Sequence, residues 1–386
     1  MSALTRRIKG DKVIWAVVVL LSVLSLLAVY SSTGTLAYRY QSGNTEYYMI
    51  KHFLILVFGF VLMYVAHLIK FTYYSRIFQI ALYIAVPLLV LTLFVGLNLN
   101  EAKRVLPLPF NLTFQTSALA KLTLIMYLAR LLTKKQETIK DFKSAFIPIM
   151  LPILIVCGLI LPANFSTAAL LFVTCLVLMF IGRVNMTYIF SLIGIGLITL
   201  TIFVLVLYNM PGDKQGRMWT WKNRIENFID KDSKANYQVE QSKIAIIKGG
   251  LLGNGPGNST QRNFLPHPYS DFIFAIIVEE YGLIGSSIVV LLYLILFYRA
   301  VRIVSRIPQN FGAFLTIGVS FNLVFQAMIN MAVAVNLLPV TGQPLPLVSM
   351  GGTSIWFTSL SIGIILSVSR EISNQSSLNE MQYVEA

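Results

Sequence analysis

The chain is broken into apolar runs long enough to cross a membrane, and nothing else in it constrains the fold as much. A helix needs about 20 consecutive apolar residues to traverse a hydrocarbon layer of roughly 30 Å. Such runs occupy Val13–Ser31, Tyr48–Leu68, Ile77–Leu97, Phe114–Leu132, Ala145–Leu161, Ser166–Ile181 and Met186–Tyr208. After a long polar stretch come Phe272–Tyr298, Phe311–Leu337 and Thr353–Val368. Ala145–Leu161 is short for a full crossing. The expected fold is all-α: one polytopic membrane domain over 1–386, with about ten transmembrane helices and a large loop, 209–270, between the seventh and eighth. Composition agrees, since 12% of the 386 residues are charged and 56% hydrophobic, against roughly a quarter charged in a soluble domain.

Lys and Arg in short loops mark the cytoplasmic side. The arm 1–12 carries Arg6, Arg7, Lys9 and Lys12, and alternate connections add Lys70, Arg76, Arg130, Lys134, Lys135, Lys140, Lys143, Arg183, Arg299, Arg302, Arg306 and Arg370. The opposite short loops hold Arg39, Lys103 and Arg104. Both termini, including the tail 371–386, are therefore expected in the cytoplasm and 209–270 outside. The first apolar run is too long, and lacks the A-x-A-like site, for a cleaved signal peptide, so it is expected to remain as an anchor. The formal net charge of +14 is mostly this topological charge facing anionic headgroups. No basic helix interleaved with aromatics is present, which argues against nucleic acid.

Cys157 and Cys175 fall inside apolar runs and read as small packing residues. His52, His67 and His267 have no metal-ligand spacing. The connection 209–270 opens on a turn signal, Met210-Pro211-Gly212-Asp213, and ends near a glycine cluster, Gly249 to Gly257. A structureless loop of this length is usually functional. The glycine cluster lacks the Gly-Lys-Ser/Thr ending of a phosphate loop. It reads either as a mobile turn or as backbone that approaches a bulky substrate.

Charged residues inside spans default to functional hypotheses. Lys121, Asp271, Glu279 and Glu280 stand out, whereas Lys51 reads as a snorkelling interface residue. Asp271 has two readings, a helix cap or a catalytic carboxylate. Glu279 and Glu280 follow it by about 12 and 13.5 Å of helical rise, too far to share its proton. At least one of them is expected to pair with a basic residue of another span, Lys121 being the best placed.

The run Leu265-Pro266-His267-Pro268-Tyr269-Ser270-Asp271-Phe272-Ile273-Phe274-Ala275, followed by Glu279-Glu280-Tyr281-Gly282, resembles the central signature of the shape, elongation, division and sporulation family. Pro339-Val340-Thr341-Gly342-Gln343-Pro344-Leu345-Pro346-Leu347-Val348-Ser349-Met350-Gly351-Gly352-Thr353-Ser354 resembles its C-terminal signature. Tyr237-Gln238, Gln241-Ser242, the glycine cluster, and Arg104 with Gln115-Thr116-Ser117 and Lys121 match in the same order. The resemblance implies a glycosyltransferase that polymerises lipid II into glycan strands, in partnership with a class B penicillin-binding protein and other divisome proteins. Gln343, Ser349 to Thr353 and the short polar tail look more like the division branch than the elongation branch.

By the same resemblance Asp271 is the candidate base. Arg104, Lys121 or a divalent cation (Mg or Mn) would serve the pyrophosphate, with no organic cofactor. Gln238, Gln241, Ser242, Gly255, Gly257, Glu279, Glu280, Thr341, Gly342 and Ser349 would bind substrate or support the site. Three positions depart from the family pattern. Thr116-Ser117-Ala118 lacks an acid three residues before Lys121, Pro162 to Thr167 lacks the acid of a Pro-Asp motif, and His267 replaces a common Glu. A lipid II flippase and a non-catalytic scaffold are the alternative classes.

Overall fold

The computed structural model describes residues 10–99, 102–108, 112–209, 218, 219, 221, 222, 226 and 237–385. In chain order the helices are α1 (Lys12–Ser32), α2 (Gly34–Tyr40), α3 (Thr45–Leu68), α4 (Phe71–Val95), α5 (Thr116–Lys134), α6 (Ile147–Ile160), α7 (Phe165–Ile181), α8 (Met186–Asn209), α9 (Tyr237–Gly249), α10 (Ile273–Val304), α11 (Asn310–Ala334) and α12 (Thr353–Glu385). Nine helical stretches among the described residues are long and apolar enough to cross a membrane, and α7, at 17 residues, is a shorter apolar helix. The run expected to be short is completed instead by a π-helical turn at Phe142–Phe146, which extends α6 to a 19-residue stretch, Phe142–Ile160.

Burial sorts the helices. The least apolar ones, α5, α11 and α12, are the most enclosed, with 67%, 72% and 67% of their spanning windows buried, whereas α8 has 6% buried. The polar residues that lower the hydropathy of the first group therefore face protein, as the cost of polar groups in lipid demands. Asp11 caps α1 by accepting from the Val13 and Ile14 amides, at 2.9 and 3.3 Å, and also meets Arg299 at 2.5 Å. The first helix is thereby tied to the far end of α10.

The all-α polytopic architecture stands, with three local features added to it. The chain is not purely helical: Leu97–Leu99 (β1), Ala102–Leu108 (β2) and Leu112–Phe114 (β3) form a small antiparallel sheet in the order β1-β2-β3. Leu97 and Phe114 close and open the flanking apolar runs, and the residues between them read only as a short connection. The stretch 209–270 is not structureless, because it contains α9 and a 3-10 turn at Gln261–Asn263. Val239, Ser242, Ala245 and Gly249 are its buried residues, a one-sided stripe at helical spacing. Most of 210–236 lies outside the described residues. The tail from 371 onward is helical, since α12 runs on to Glu385.

Helix α10 is broken at Gly282, whose φ of 68° and ψ of −170° are open only to glycine. A break orphans backbone groups on either side, and the glycine cluster takes them up. Asn254 and Gly255 donate to the carbonyls of Glu279 and Glu280, both at 3.0 Å, while Leu283 and Ile284 donate to those of Gly250 and Leu251, at 2.9 and 3.3 Å. A Cβ on Gly253 or Gly282 would collide with the facing backbone. The cluster is therefore neither a loose turn nor an open cradle. It braces the kink.

Candidate active site

Asp271 stands one residue ahead of the N-cap of α10. The cap is Phe272 and makes no side-chain cap bond, so the carboxylate is not spent on capping. It accepts from Ser270 Oγ at 3.0 Å. The turn at Gly342, where φ is +66°, lies beside it: a Cβ there would stand 3.6 Å from Asp271 Oδ2. Tyr269 and His267 precede it, and His267 Nδ1 lies 3.0 Å from the Tyr269 hydroxyl. That hydroxyl is pushed above its ordinary pKa by burial first, then by Tyr48, Tyr40 and the Asp271 carboxylate.

The backbone around Asp271 is fixed by buried amides on α11. Asn330 Nδ2 donates to the carbonyls of both Asp271 and Gln343, at 2.9 and 2.8 Å. One side chain thus joins the entry of α10 to the loop 339–352. Gln326, one turn away, donates to the Pro344 carbonyl at 2.8 Å, and Gln343 Nε2 reaches Thr167 Oγ1 at 2.6 Å. Ser349 accepts from the Leu345 amide at 2.8 Å and donates to the Ser270 carbonyl at 2.6 Å. The Met350 amide donates to the Tyr269 carbonyl at 2.9 Å. The two signature segments, some 70 residues apart in sequence, are therefore one hydrogen-bonded unit with Asp271 at its edge. Sequence reasoning missed Asn330 and Gln326. Their signal was present as amides at four-residue spacing, Asn322, Gln326 and Asn330, inside an otherwise apolar span.

Lys121 does not meet a carboxylate of α10. Its Nζ donates to Gln326 Oε1 at 2.6 Å, because α5 faces α11 at that level. The acids of α10 are satisfied elsewhere. Glu279 accepts from Ser259 Oγ, from the Thr260 amide and hydroxyl at 3.0 and 2.9 Å, and from the Gln261 amide at 3.2 Å. Glu280 accepts from Ser31 Oγ and, at 3.3 Å, from the Ser259 amide. Neither acid has an ion-pair partner among the described residues. Removing Lys121 therefore costs a hydrogen bond to an amide, not a buried ion pair. Lys121→Met is expected to lower stability by about 1–3 kcal/mol, less than the roughly 3–5 that follow when a buried pair is broken. Thermal unfolding in detergent measures this, and a loss at the upper figure would restore a carboxylate partner.

Arg104 sits on β2 and its Nε donates to the Ala163 carbonyl at 3.0 Å, which ties the sheet to the turn between α6 and α7. Ser242 donates to the Ala334 carbonyl at 2.7 Å and docks α9 on the end of α11. Gln238 and Gln241 are half-buried on the same helix, and no hydrogen bond joins them to the groups around Asp271. Gly255 belongs to the brace on the α10 kink, and Gly257, with φ of +79°, follows it. Thr341 is half-buried and lines an apolar groove of about 280 Å³, together with Phe165, Val173, Leu200, Phe203, Phe325 and Leu338. No group of three or more His, Cys, Asp or Glu that could hold a metal occurs among the described residues.

The family described as cell cycle proteins, of the FtsW, RodA and SpoVE type, matches residues 11–374. The chain is 32% identical over 374 residues to a probable peptidoglycan glycosyltransferase FtsW of Geobacter sp. strain M18, covering 94% of this chain and 98% of that one. It is 30% identical over 371 residues to stage V sporulation protein E of Bacillus subtilis strain 168, covering 95% and 98%. Among solved structures, a chain of a peptidoglycan synthase complex that coordinates polymerization and crosslinking superposes with a TM-score of 0.71 at 22% identity, covering 94% of this chain and 98% of that one. The rod shape determining protein RodA of Thermus thermophilus superposes at 0.66 with 22% identity, covering 95% and 98%. At that identity the structural likeness is one of fold. With a family match over nearly its whole length and relatives above 30% identity, the chain belongs to the FtsW, RodA and SpoVE family of cell cycle proteins.

Proposed function

We propose that this chain is a peptidoglycan glycosyltransferase that polymerises lipid II at the outer face of the cytoplasmic membrane, with Asp271 as its general base. Family membership across residues 11–374 carries the activity. In the reaction a sugar hydroxyl of one lipid-linked unit attacks the anomeric carbon of another chain. The new glycosidic bond forms, the bond to lipid pyrophosphate breaks, and the carbon inverts. Asp271 receives the hydroxyl proton, a role that needs a carboxylate not committed to other bonds. Its single acceptor contact with Ser270, on a backbone held by Asn330 and Ser349, supports that role.

The apolar groove ending at Thr341 fits a lipid-like portion of the substrate, since its wall is almost wholly hydrocarbon. Arg104 and Lys121 would supply positive charge toward the leaving pyrophosphate, where cations stabilise developing charge. A divalent ion, Mg or Mn, fits only as one shared with substrate: Asp271 is a single carboxylate, and Mg commonly binds through one or two carboxylates plus substrate phosphates. When bound, it would neutralise pyrophosphate charge.

The remaining features follow the same reading. The chain crosses the membrane ten times if α7 tilts little and spans a thinned layer. Its termini are cytoplasmic, and it works at the septum with a class B penicillin-binding protein. The abundance of relatives named FtsW favours division over elongation. Orientation is tested by Asn263→Cys, an exposed position in the connection that leads to Asp271. It should react with an impermeant thiol reagent in intact spheroplasts, against a low background because Cys157 and Cys175 are buried. Labelling only after lysis would put the site on the wrong face. Asn236, in the same connection, lies outside the described residues.

Activity is tested by incubating the purified protein with lipid II in detergent, with no membrane gradient and with or without the partner. Glycan chains are the expected product. A flippase or a scaffold would make none under either condition.

A further inference from the structure

At the end of α10 opposite Asp271, a pocket of about 300 Å³ opens between the start of α1, the end of α10 and the middle of α12 at Ser369, Ile372 and Ser373. Lys12, Arg299, Arg302 and Arg306 line it, with Asp11 as its acid. Arg299 is already engaged, holding Asp11 at 2.5 and 2.7 Å. No side chain among the described residues pairs with Lys12, Arg302 or Arg306, so three positive charges face one concavity without a counter-charge. Helix-dipole compensation explains a single Arg at the C-terminal end of α10. It does not explain the convergence of Arg302 and Arg306 with Lys12, which stands at the opposite, positive pole of another helix.

We infer that this pocket binds the phosphate of an anionic phospholipid headgroup. Three points favour a lipid over a soluble phosphate. The pocket lies at the ends of spanning helices, at headgroup depth. Val13, in its wall, is apolar and 38% exposed, which leaves a hydrocarbon surface beside the charges for an acyl chain. Paired guanidinium groups also match phosphate geometry. The pocket is distinct from the polymerisation site, because some 26 residues of helix, roughly 39 Å of rise, separate Arg299 from the start of α10. Binding does not depend on the proposed reaction. Only the leaflet, the cytoplasmic one, follows from the orientation proposed above.

The test is native mass spectrometry of the full-length protein in neutral detergent, titrated with phosphatidylglycerol or with phosphatidylcholine of the same acyl chains. The wild type should retain phosphatidylglycerol about tenfold or more over phosphatidylcholine. Each basic residue lost should weaken binding about fivefold, so R302Q/R306Q should lose about 25-fold. Lys12→Gln alone should lose about fivefold, and it decides the matter if the double variant does not insert. Equal retention of the two lipids, or unchanged affinity in the variants, would overturn the proposal. Release of the lipid by millimolar inorganic phosphate that is itself retained would overturn the lipid assignment in favour of a soluble anion. Polymer synthesis is not a readout here, so failure of the polymerase reading leaves the result intact.

Discussion

Asp271→Asn is expected to insert and fold as the wild type does, yet to polymerise lipid II about 10²- to 10⁴-fold more slowly, the usual cost of losing a general base. The geometry makes the substitution clean. The contact that Asp271 makes through its side chain is acceptance from Ser270 Oγ, and an asparagine Oδ1 still accepts it. The contact made through its backbone, to Asn330, is untouched. Phe272, not Asp271, is the N-cap of α10, so no helix end is lost. Asp271→Glu should also be poor, because one added methylene moves the carboxylate by about 1 Å, and displacements of that size can cost about 10² in rate. It would also press toward the Gly342 turn. Rates of glycan formation from lipid II measure both variants, with thermal unfolding as the check on folding. Near wild-type polymerisation by the Asn variant would remove Asp271 from the chemistry.

Glu279→Ala is expected to have the largest effect on stability. The Glu279 carboxylate accepts from three consecutive residues, Ser259, Thr260 and Gln261, of which Ser259 and Gln261 are buried at 3% and 4% exposure. Its loss strands several donors at once, at about 1–3 kcal/mol for each that stays buried. The strap 254–263 should then lift from α10 and expose the kink at Gly282. A drop in unfolding temperature together with new protease cleavage within 254–263 is the expected result. Glu279→Gln, which keeps one acceptor oxygen, should fall between Ala and wild type. Polymerisation should decline with stability in both. An Ala variant that lost turnover while keeping full stability and protease resistance would move Glu279 from the brace to the reaction.

The membrane class, the run of spanning helices and Asp271 as the candidate carboxylate were legible in the sequence. Each depends on local information: apolar length for a helix, and residue type and order for the signatures. The small sheet at 97–114 and α9 were not legible, for different reasons. The strands are short, and β2 carries Lys103, Arg104 and Pro107, so the segment reads as a loop between two spans. In α9 the buried stripe of Val239, Ser242, Ala245 and Gly249 includes small and polar residues that do not register as an apolar face.

Partner choice was the larger gap. The sequence presents Lys121, Glu279 and Glu280 as three intramembrane charges and suggests that they pair. Which groups meet depends on which helices face each other and at what height, and neither is written in local sequence. Tertiary packing gave Lys121 to Gln326 and gave the two acids to the strap and to Ser31. It also turned the glycine cluster into a brace, because the carbonyls and amides it satisfies exist only where α10 breaks. The sequence by itself determined that this chain lives in a bilayer, that it carries two signature segments, and that one carboxylate lies at the entrance of a helix. Only the tertiary structure decided that Asn330 and Ser349 join those segments around that carboxylate. The physical reason is that the bonds from Asn330 to Asp271 and from Ser349 to Ser270 run between residues 59 and 79 positions apart, and they form only after helix packing has fixed the distance.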